Sequence, residues 1–272
     1  CTTFSSTALI WLSVIVWIIF SLDFSSSSLI SFDLRSFFKS SLAENLEIEA
    51  SGFLEWNQEN NSYIADGNAI ASQGTRSIKA DKITAFYESE ENRDIVRIEA
   101  EGAVKFADTE NSGYSETLTY EMDARLYILS GNRNQFRSEN FVAEASKRIQ
   151  YDELNGVLLL QDNAQISISG ERTIKAQQIE ILLSDNGDLK SIKAFEKVKL
   201  IEEMGRIAYA NQAFYQAESG EMTLKESVKI IDGKNLLQGD TAIINVKTGY
   251  SKILAGSKNQ RVSGKLILSS SN

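Results

Sequence analysis

Histidine and proline are both absent from the 272 residues of this chain, and cysteine occurs once, as Cys1. Without histidine there is no Ser-His-Asp or Cys-His relay, and the commonest general base and zinc ligand are missing. Without proline nothing interrupts a hydrogen-bonded ladder, so long strand pairing is permitted throughout. A single cysteine forms no disulfide within the chain. We therefore expect no enzymatic activity, no catalytic residue, no metal site and no cofactor.

A surplus of basic residues is also missing. The chain has 28 Lys and Arg against 37 Asp and Glu, which gives a net charge of −9. Nucleic-acid-binding proteins present basic surfaces that displace counterions, so we expect no nucleic-acid partner. An acidic protein can still bind an anionic amphiphile through its hydrocarbon part, with the charged head kept at the rim.

One hydrophobic segment stands near the start of the chain. Residues 8–22, ALIWLSVIVWIIFSL, contain no charged side chain. Their length suits the core of a signal peptide and makes a membrane span of about 20 residues only with flanking residues. We expect residues 1–45 to form a signal or anchor segment with a Ser-rich linker, either cleaved or retained in a membrane. A lipid on Cys1 is a third alternative. The two main alternatives export the rest of the chain.

A strand pattern recurs between Glu49 and Gly256. The centres of its seven copies are 35, 29, 31, 34, 30 and 30 residues apart, a regularity typical of repeat architectures. The copies are YIADGNAIA, IEAEGAVKF, YILSGNRNQF, LLLQDNAQISI, IKAFEKVKL, MTLKESVKI and KILAGSK, centred on Gly67, Gly102, Gly131, Asp162, Glu196, Glu226 and Gly256.

Within a copy such as IEAEGAVKF, apolar and polar residues alternate, as in a straight strand with one buried face. Because the same phase returns in later copies, we expect one continuous interior stripe of apolar side chains. Its predicted members are Ile98, Ala100, Val104, Phe106, Leu158, Leu160, Ala164, Ile166, Ile192, Val198, Leu200, Leu224, Val228 and Ile230.

A second strand type, seen in IKADKITAF (78–86), alternates with the first and breaks the alternation once. After Ala80 the next inward candidate is Ile83, three residues on, and such a slip requires a bulge or a corner between two sheets. The prediction is an all-β fold of about thirteen strands in two facing antiparallel sheets. We expect this domain to occupy residues 46–266 and a flexible tail to occupy residues 267–272.

Four segments carry a family resemblance: IEASGFLEW, YIADGNAIASQGTRSIKADKITAFY, IEAEGAVKFAD and ILAGSKNQRVSGKL. They resemble the OstA-like, or LptA-type, periplasmic lipopolysaccharide-transport proteins, which are related to LptC and the N-terminal domain of LptD. The resemblance implies a repetitive β-jellyroll of V-shaped cross-section whose interior takes lipid A acyl chains. Three residues depart from the pattern: polar Arg133 in the third copy, and Glu196 and Glu226 at later centres. These departures put the continuity of the groove through the third copy in question.

The expected function is therefore that of a periplasmic bridge protein that carries lipopolysaccharide from the inner to the outer membrane. The resemblance implies head-to-tail self-association by edge strands, an LptC-like inner-membrane partner and an LptD-like outer-membrane partner. The interior stripe would bind the acyl chains. Five basic residues near predicted strand ends could meet lipid phosphates at the groove mouth: Arg76, Lys79, Lys82, Arg172 and Lys175.

Two alternatives stay open. One is an LptC-type partner of the exporter, tethered to the inner membrane by residues 8–22, and the other is a closed structural β-solenoid or adhesin. The bridge protein would lie in the periplasm after cleavage of its signal, whereas the LptC-type partner would face the periplasm from its anchor.

Overall fold

The computed structural model contains a compact unit, Glu44–Asn272, that is separate from the preceding residues of the chain. All the residues that the structure describes belong to this unit, and they are 45–168, 172–203, 205–256 and 261–267. The predicted signal or anchor segment and most of the predicted tail lie outside them. No helix in the described part of the chain is both long and apolar enough to cross a membrane.

In the part of the chain that the structure describes, eighteen strands pair in one continuous antiparallel meander, which confirms the predicted all-β fold and exceeds the thirteen or so strands expected. The strands are β1 (Glu47–Glu49), β2 (Phe53–Asn57), β3 (Ser62–Gln73), β4 (Arg76–Tyr87), β5 (Ile95–Ala107), β6 (Ser112–Glu121), β7 (Leu126–Ser130), β8 (Asn134–Arg137), β9 (Phe141–Ala145), β10 (Arg148–Asp152), β11 (Val157–Ile168), β12 (Arg172–Leu183), β13 (Leu189–Glu202), β14 (Ile207–Gln216), β15 (Glu221–Asp232), β16 (Asn235–Asn245), β17 (Ser251–Leu254) and β18 (Ser263–Lys265).

Each long strand is interrupted once near its middle, and this corner divides the meander into two sheets. In β3 and β4, for example, the pairing is interrupted between Asp66 and Ala69, and between Lys79 and Lys82. Sheet A contains β2, β7, β10 and β17, the first halves of β3, β5, β11, β13 and β15, and the second halves of β4, β6, β12, β14 and β16. Sheet B contains β1, β8, β9, β18 and the remaining halves.

The corners of the second strand type lie where the sequence predicted them. In β4, Ala80 and Ile83 are both buried although they are three residues apart, and Ala176 and Ile179 of β12 repeat the arrangement. The interrupted register at each site confirms that the strand passes there from one sheet to the other.

The first strand type also turns a corner, so the expectation of a straight strand was wrong. In β5 the corner is the pair Gly102 and Ala103, with φ of 79° and 45°. Two residues in the left-handed region turn the chain but keep an even spacing between Ala100 and Val104, which are both buried. The alternation therefore continues through the corner and conceals it. The same left-handed pair occurs at Gly67 and Asn68, Asp162 and Asn163, Glu196 and Lys197, and Glu226 and Ser227.

Replacement of Glu196 by glycine is expected to stabilise the fold. The left-handed conformation costs a residue with a Cβ roughly 1–2 kcal/mol, and the greater freedom of glycine in the unfolded chain offsets roughly 0.5–1 kcal/mol of that gain. Because Glu196 is exposed with φ of 63°, we expect the free energy of unfolding to rise by about 0.5–1 kcal/mol. Urea denaturation measures this gain. Ser191→Gly, in the same strand but outside the corner, is the control. Its free energy of unfolding should fall by about the amount by which that of Glu196→Gly rises. An equal loss in both variants would contradict strain at the corner.

Candidate functional site

The space between the two sheets is lined by the predicted interior stripe. All fourteen predicted residues are buried, each with no more than 4% of its surface exposed. The corner of each strand divides them between the sheets: in β5, Ile98 and Ala100 belong to sheet A, whereas Val104 and Phe106 belong to sheet B. The stripe is therefore a shared interior, and its apolar lining can solvate hydrocarbon at about 25 cal/mol per Å² of buried area.

A cluster of six aromatic rings spans this interior from sheet to sheet. The rings of Tyr120 and Tyr127 stack at 4.2 Å within sheet A, and Phe136 of sheet B meets Tyr151 of sheet A edge-on at 4.9 Å. Phe106 of sheet B stacks on Tyr127 at 5.4 Å. The aromatic cluster comprises Phe106, Phe136 and Phe141 from sheet B and Tyr120, Tyr127 and Tyr151 from sheet A, all buried.

A glycine makes room for the aromatic cluster. Gly113 of β6 is paired with Phe106 on one side and with Phe136 on the other. A Cβ at this position would lie 2.2 Å from a ring carbon of Phe106 and 2.5 Å from the carbonyl oxygen of Gln135. The missing side chain lets the neighbouring ring lie over the strand, as aromatic residues do over glycines in sheets.

The third copy of the repeat does not place a charge in the interior. Arg133 is exposed, and its guanidinium lies 5.9 Å from the ring centre of Tyr114. The break between β7 and β8 shifts the alternation by one residue, so the neighbouring Asn134 is buried instead. Its side-chain amide donates hydrogen bonds to the carbonyl oxygens of Gly131 and Ala145 at 2.9 and 3.1 Å. What distinguishes this stretch is therefore the aromatic cluster and not Arg133.

Polar contacts bridge the side of the interior that lies opposite the corners, which we call the mouth. Arg76, at the sheet B end of β4, donates a hydrogen bond to Glu153, which follows β10 in sheet A, at 2.6 Å. Arg125 binds the same carboxylate oxygen from the other side. Arg76 also donates to the hydroxyl of Tyr120 at 3.2 Å. A charged network thus closes the mouth directly over the aromatic cluster.

The pKa values of two tyrosines beneath this network, Tyr127 and Tyr151, are raised. Burial, followed by the negative charge of Glu153, raises the pKa of Tyr151 to about 12. Burial, followed by the proximity of Tyr120, raises the pKa of Tyr127 as well.

Two further contacts across the mouth show that the sheets are staggered. Asn140 of a sheet B turn donates to Asp188 of a sheet A turn at 3.3 Å, and Arg206 beside sheet B donates to Ser251 of β17 at 3.4 Å. In each case, as with Arg76, the partner in sheet A comes later in the chain. Among the residues that the structure describes, the first segments of sheet A and the last segments of sheet B consequently have no facing partner.

The two ends of the meander are the main exposed apolar surfaces. Within the described residues, β1 and β2 pair only with β3, and β17 and β18 pair only with β16, so each end has a free edge. Nine large hydrophobic side chains are exposed in this part of the chain, and seven lie at the ends: Phe53, Leu54, Trp56, Tyr250, Val262, Leu266 and Ile267.

The predicted basic rim does not form, so that expectation was wrong. Arg76 lies at the mouth, and Arg172 begins β12 at the same side of sheet B. Lys79 and Lys82 flank the corner of β4, and Lys175 lies next to the corner of β12, on the side opposite the mouth. The corners of β4 and β12 therefore separate these side chains from the mouth.

Sequence reasoning missed the charged network and most of the aromatic cluster. Glu153 and Arg125 lie in turns, where periodicity gives no signal, and they meet Arg76 only through the stagger of the sheets. The cluster did have a signal, because residues 106–151 contain seven of the 22 phenylalanines and tyrosines of the chain within 46 positions.

Comparison with known proteins identifies a sequence family and similar solved structures. The sequence profile of the family described as LptA/(LptD N-terminal domain) LPS transport protein matches the chain twice, over residues 47–143 and 144–250. Among solved structures, LptH of Pseudomonas aeruginosa, described as the LptA homologous periplasmic component of the conserved lipopolysaccharide transport device, is similar. It is 11% identical, with a TM-score of 0.42, and the alignment covers 47% of this chain and 95% of that one. No curated protein matches the chain.

The boundary between the two family matches falls at a distinctive place in the fold. Residues 143 and 144 lie inside β9, whose first residue, Phe141, belongs to the aromatic cluster. Strands β7 to β10 around the boundary are short halves broken at their corners. Each matched segment thus contributes its own part of the interior, and the aromatic cluster lies where the two parts meet.

Proposed function

This chain belongs to the LptA and LptD N-terminal domain family of lipopolysaccharide transport proteins, and from that premise we propose that it is a periplasmic bridge protein. It would carry lipopolysaccharide from the inner to the outer membrane with the acyl chains held between sheets A and B. The observation that supports this most is the apolar interior, which extends through both matched segments and is lined by side chains of both sheets.

The fourteen residues of the interior stripe are proposed to contact the acyl chains. Hydrocarbon would replace the contacts that these side chains make with one another across the interior. Such an exchange needs the sheets to separate at the mouth, where hydrogen bonds and ion pairs such as Arg76 to Glu153 hold them together. Polar contacts of this kind exchange with water at low net cost, so they can break and re-form as lipid enters.

The two ends are proposed to join copies of the chain head to tail. Within the described residues sheet A is uncovered at the start of the meander and sheet B at its finish, so the last strands of one copy would complement the first strands of the next. Strand addition would pair β2 with β17 and β1 with β18, which satisfies the free edges and buries Leu54 and Leu266. LptC-like and LptD-like proteins of the two membranes would join the ends of the assembly in the same way.

The double family match supports this assembly. Two segments of similar length, 47–143 and 144–250, follow one another in a single chain and share one continuous meander. At the boundary between the two segments, β7 pairs with β10 and β8 pairs with β9. Within this single chain, two units are therefore already joined through paired strands. The family match also favours transport over a structural solenoid or adhesin.

Site-specific photocrosslinking tests lipid binding in the interior. Probes at Val104, Ile166 and Leu200 are expected to form adducts with lipopolysaccharide in both matched segments. Probes at the adjacent outward positions Lys105, Gln165 and Lys199 are the matched controls and should form few adducts. Adducts confined to the outward positions, or equal yields at both sets, would refute an acyl-binding interior.

A further inference from the structure

The strands at the two ends of the described meander differ in charge. At the start, β1 and β2 contain three carboxylates, Glu47, Glu49 and Glu55, and no basic residue. At the finish, β17 and β18 contain two lysines, Lys252 and Lys265, and no acidic residue. All five side chains are exposed, and none forms an ion pair with a described residue. The edges proposed to join therefore carry opposite charges.

The pairing register relates the two ends of sheet A residue by residue. Glu55 of β2 lies opposite Ile64 of β3, and the series of directly opposed partners continues without a break through every strand of the sheet to Ile243 of β16 and Lys252 of β17. Glu55 and Lys252 therefore occupy equivalent positions along their strands, both on the outer face of the sheet.

Sheet B repeats this arrangement. The series of opposed partners that begins at Glu47 of β1 and Ser72 of β3 ends at Leu236 of β16 and Lys265 of β18. In both sheets, an acidic residue of the first strand is thus equivalent in position to a lysine of the last strand. The match arises independently in each sheet, because different strands carry the two series at the ends.

A second copy that continues the meander has little freedom in register. The corner of its first strands must align with the corner of the last strands before it, because both sheets have to continue across the contact. Equivalent positions then become direct cross-strand neighbours, so Leu54 meets Ile253 toward the interior and Phe53 meets Leu254 on the outer face. A slip by one residue would turn these apolar side chains to the wrong faces.

We propose that two cross-strand ion pairs, Glu55 with Lys252 and Glu47 with Lys265, set the direction and the register of the contact with a second copy of this chain, an inference that rests on the proposed head-to-tail assembly. Opposite charges directly across an antiparallel strand pair stabilise it, and like charges destabilise it. Two first ends brought together would oppose only carboxylates, and two last ends only lysines. The charges therefore favour contact between unlike ends.

Charge reversal tests the two pairs. The head variant, Glu47→Lys/Glu55→Lys, and the tail variant, Lys252→Glu/Lys265→Glu, should each self-associate about tenfold more weakly than wild-type protein, because two attractive pairs become repulsive. An equimolar mixture of the two variants should regain the wild-type association constant, because every contact between unlike variants again joins lysines to glutamates. Sedimentation equilibrium measures the association constants.

The matched control is Asp123→Lys/Glu139→Lys, which changes the net charge as the head variant does, at exposed turns in the middle of the meander. It should associate as wild-type protein does. All the replaced side chains are exposed, so circular dichroism should show an unchanged fold in each variant.

Three results would overturn the two ion pairs while leaving head-to-tail assembly intact. They are wild-type affinity in both charge-reversed variants, the same weakening in the control, and a mixture that associates no more tightly than either variant alone. Failure of wild-type protein to self-associate would instead refute the proposed assembly itself.

Discussion

Phe136→Ala is expected to lower the free energy of unfolding by about 3–5 kcal/mol, the usual range for a phenylalanine removed from a packed interior. Phe136 is fully buried, and its ring lies 4.9 Å from Tyr151, 6.0 Å from Phe106 and 6.1 Å from Phe141. Its neighbours come from both sheets and are fixed by strand pairing, so they can close little of the resulting cavity. Urea denaturation measures the loss.

Phe53→Ala is the matched control, because Phe53 is 51% exposed in a strand of the same meander. Its effect on the free energy of unfolding should stay within about 0.5 kcal/mol. If the two variants lost the same amount, the aromatic cluster would not be a rigid junction between the matched segments, and the interior would be loosely packed at that point.

Leu54→Asp is expected to weaken head-to-tail self-association about 30-fold or more. Leu54 is 63% exposed on β2, on the face that turns toward the interior, and no described residue of sheet B covers it. In the proposed assembly it becomes buried at the centre of the contact, where losing an apolar anchor typically costs about 2 kcal/mol or more, and an added charge increases that cost. Sedimentation equilibrium measures the association constant.

Leu154→Asp provides the control for this second prediction. Leu154 is 57% exposed in the turn after β10, away from both ends of the meander, so its replacement should leave self-association unchanged. Equal behaviour of the two variants would show that the free edge of β2 is not the contact surface. Both positions are exposed, so neither variant should lose stability by more than about 0.5 kcal/mol.

Much of the fold could be predicted because strand alternation is a local property. Burial of Ile166 or Leu200 follows from which residues stand two and four positions away, and the slip from Ala80 to Ile83 identifies a corner in the same way. The corner at Gly102 and Ala103 escaped prediction because a pair of left-handed residues preserves even spacing. Hydrophobic periodicity does not reveal a positive φ, and a glutamate at such a position, as at Glu196, does not signal it in the way that a glycine does.

The mouth could not be predicted, because its contacts depend on the stagger of two sheets. Arg76 and Glu153 are 77 residues apart, one at the start of β4 and the other in the turn after β10. Which turn of sheet B meets which turn of sheet A depends on the bend and twist accumulated over many strands. The same stagger leaves Leu54 and Leu266 uncovered at opposite ends, although local sequence predicts no special exposure for either.

The sequence by itself determined that this protein is a β-repeat with one shared apolar interior, because alternation and spacing depend only on neighbouring residues. It also contained the family pattern, which recurs over both halves of the chain. Only the tertiary structure decided that six rings cross the interior at the junction, that a charged network lies at the mouth, and that the strands at the two ends of the described meander expose apolar side chains. Those features arise from contacts between distant turns and strands, whose positions are fixed only when both sheets are complete.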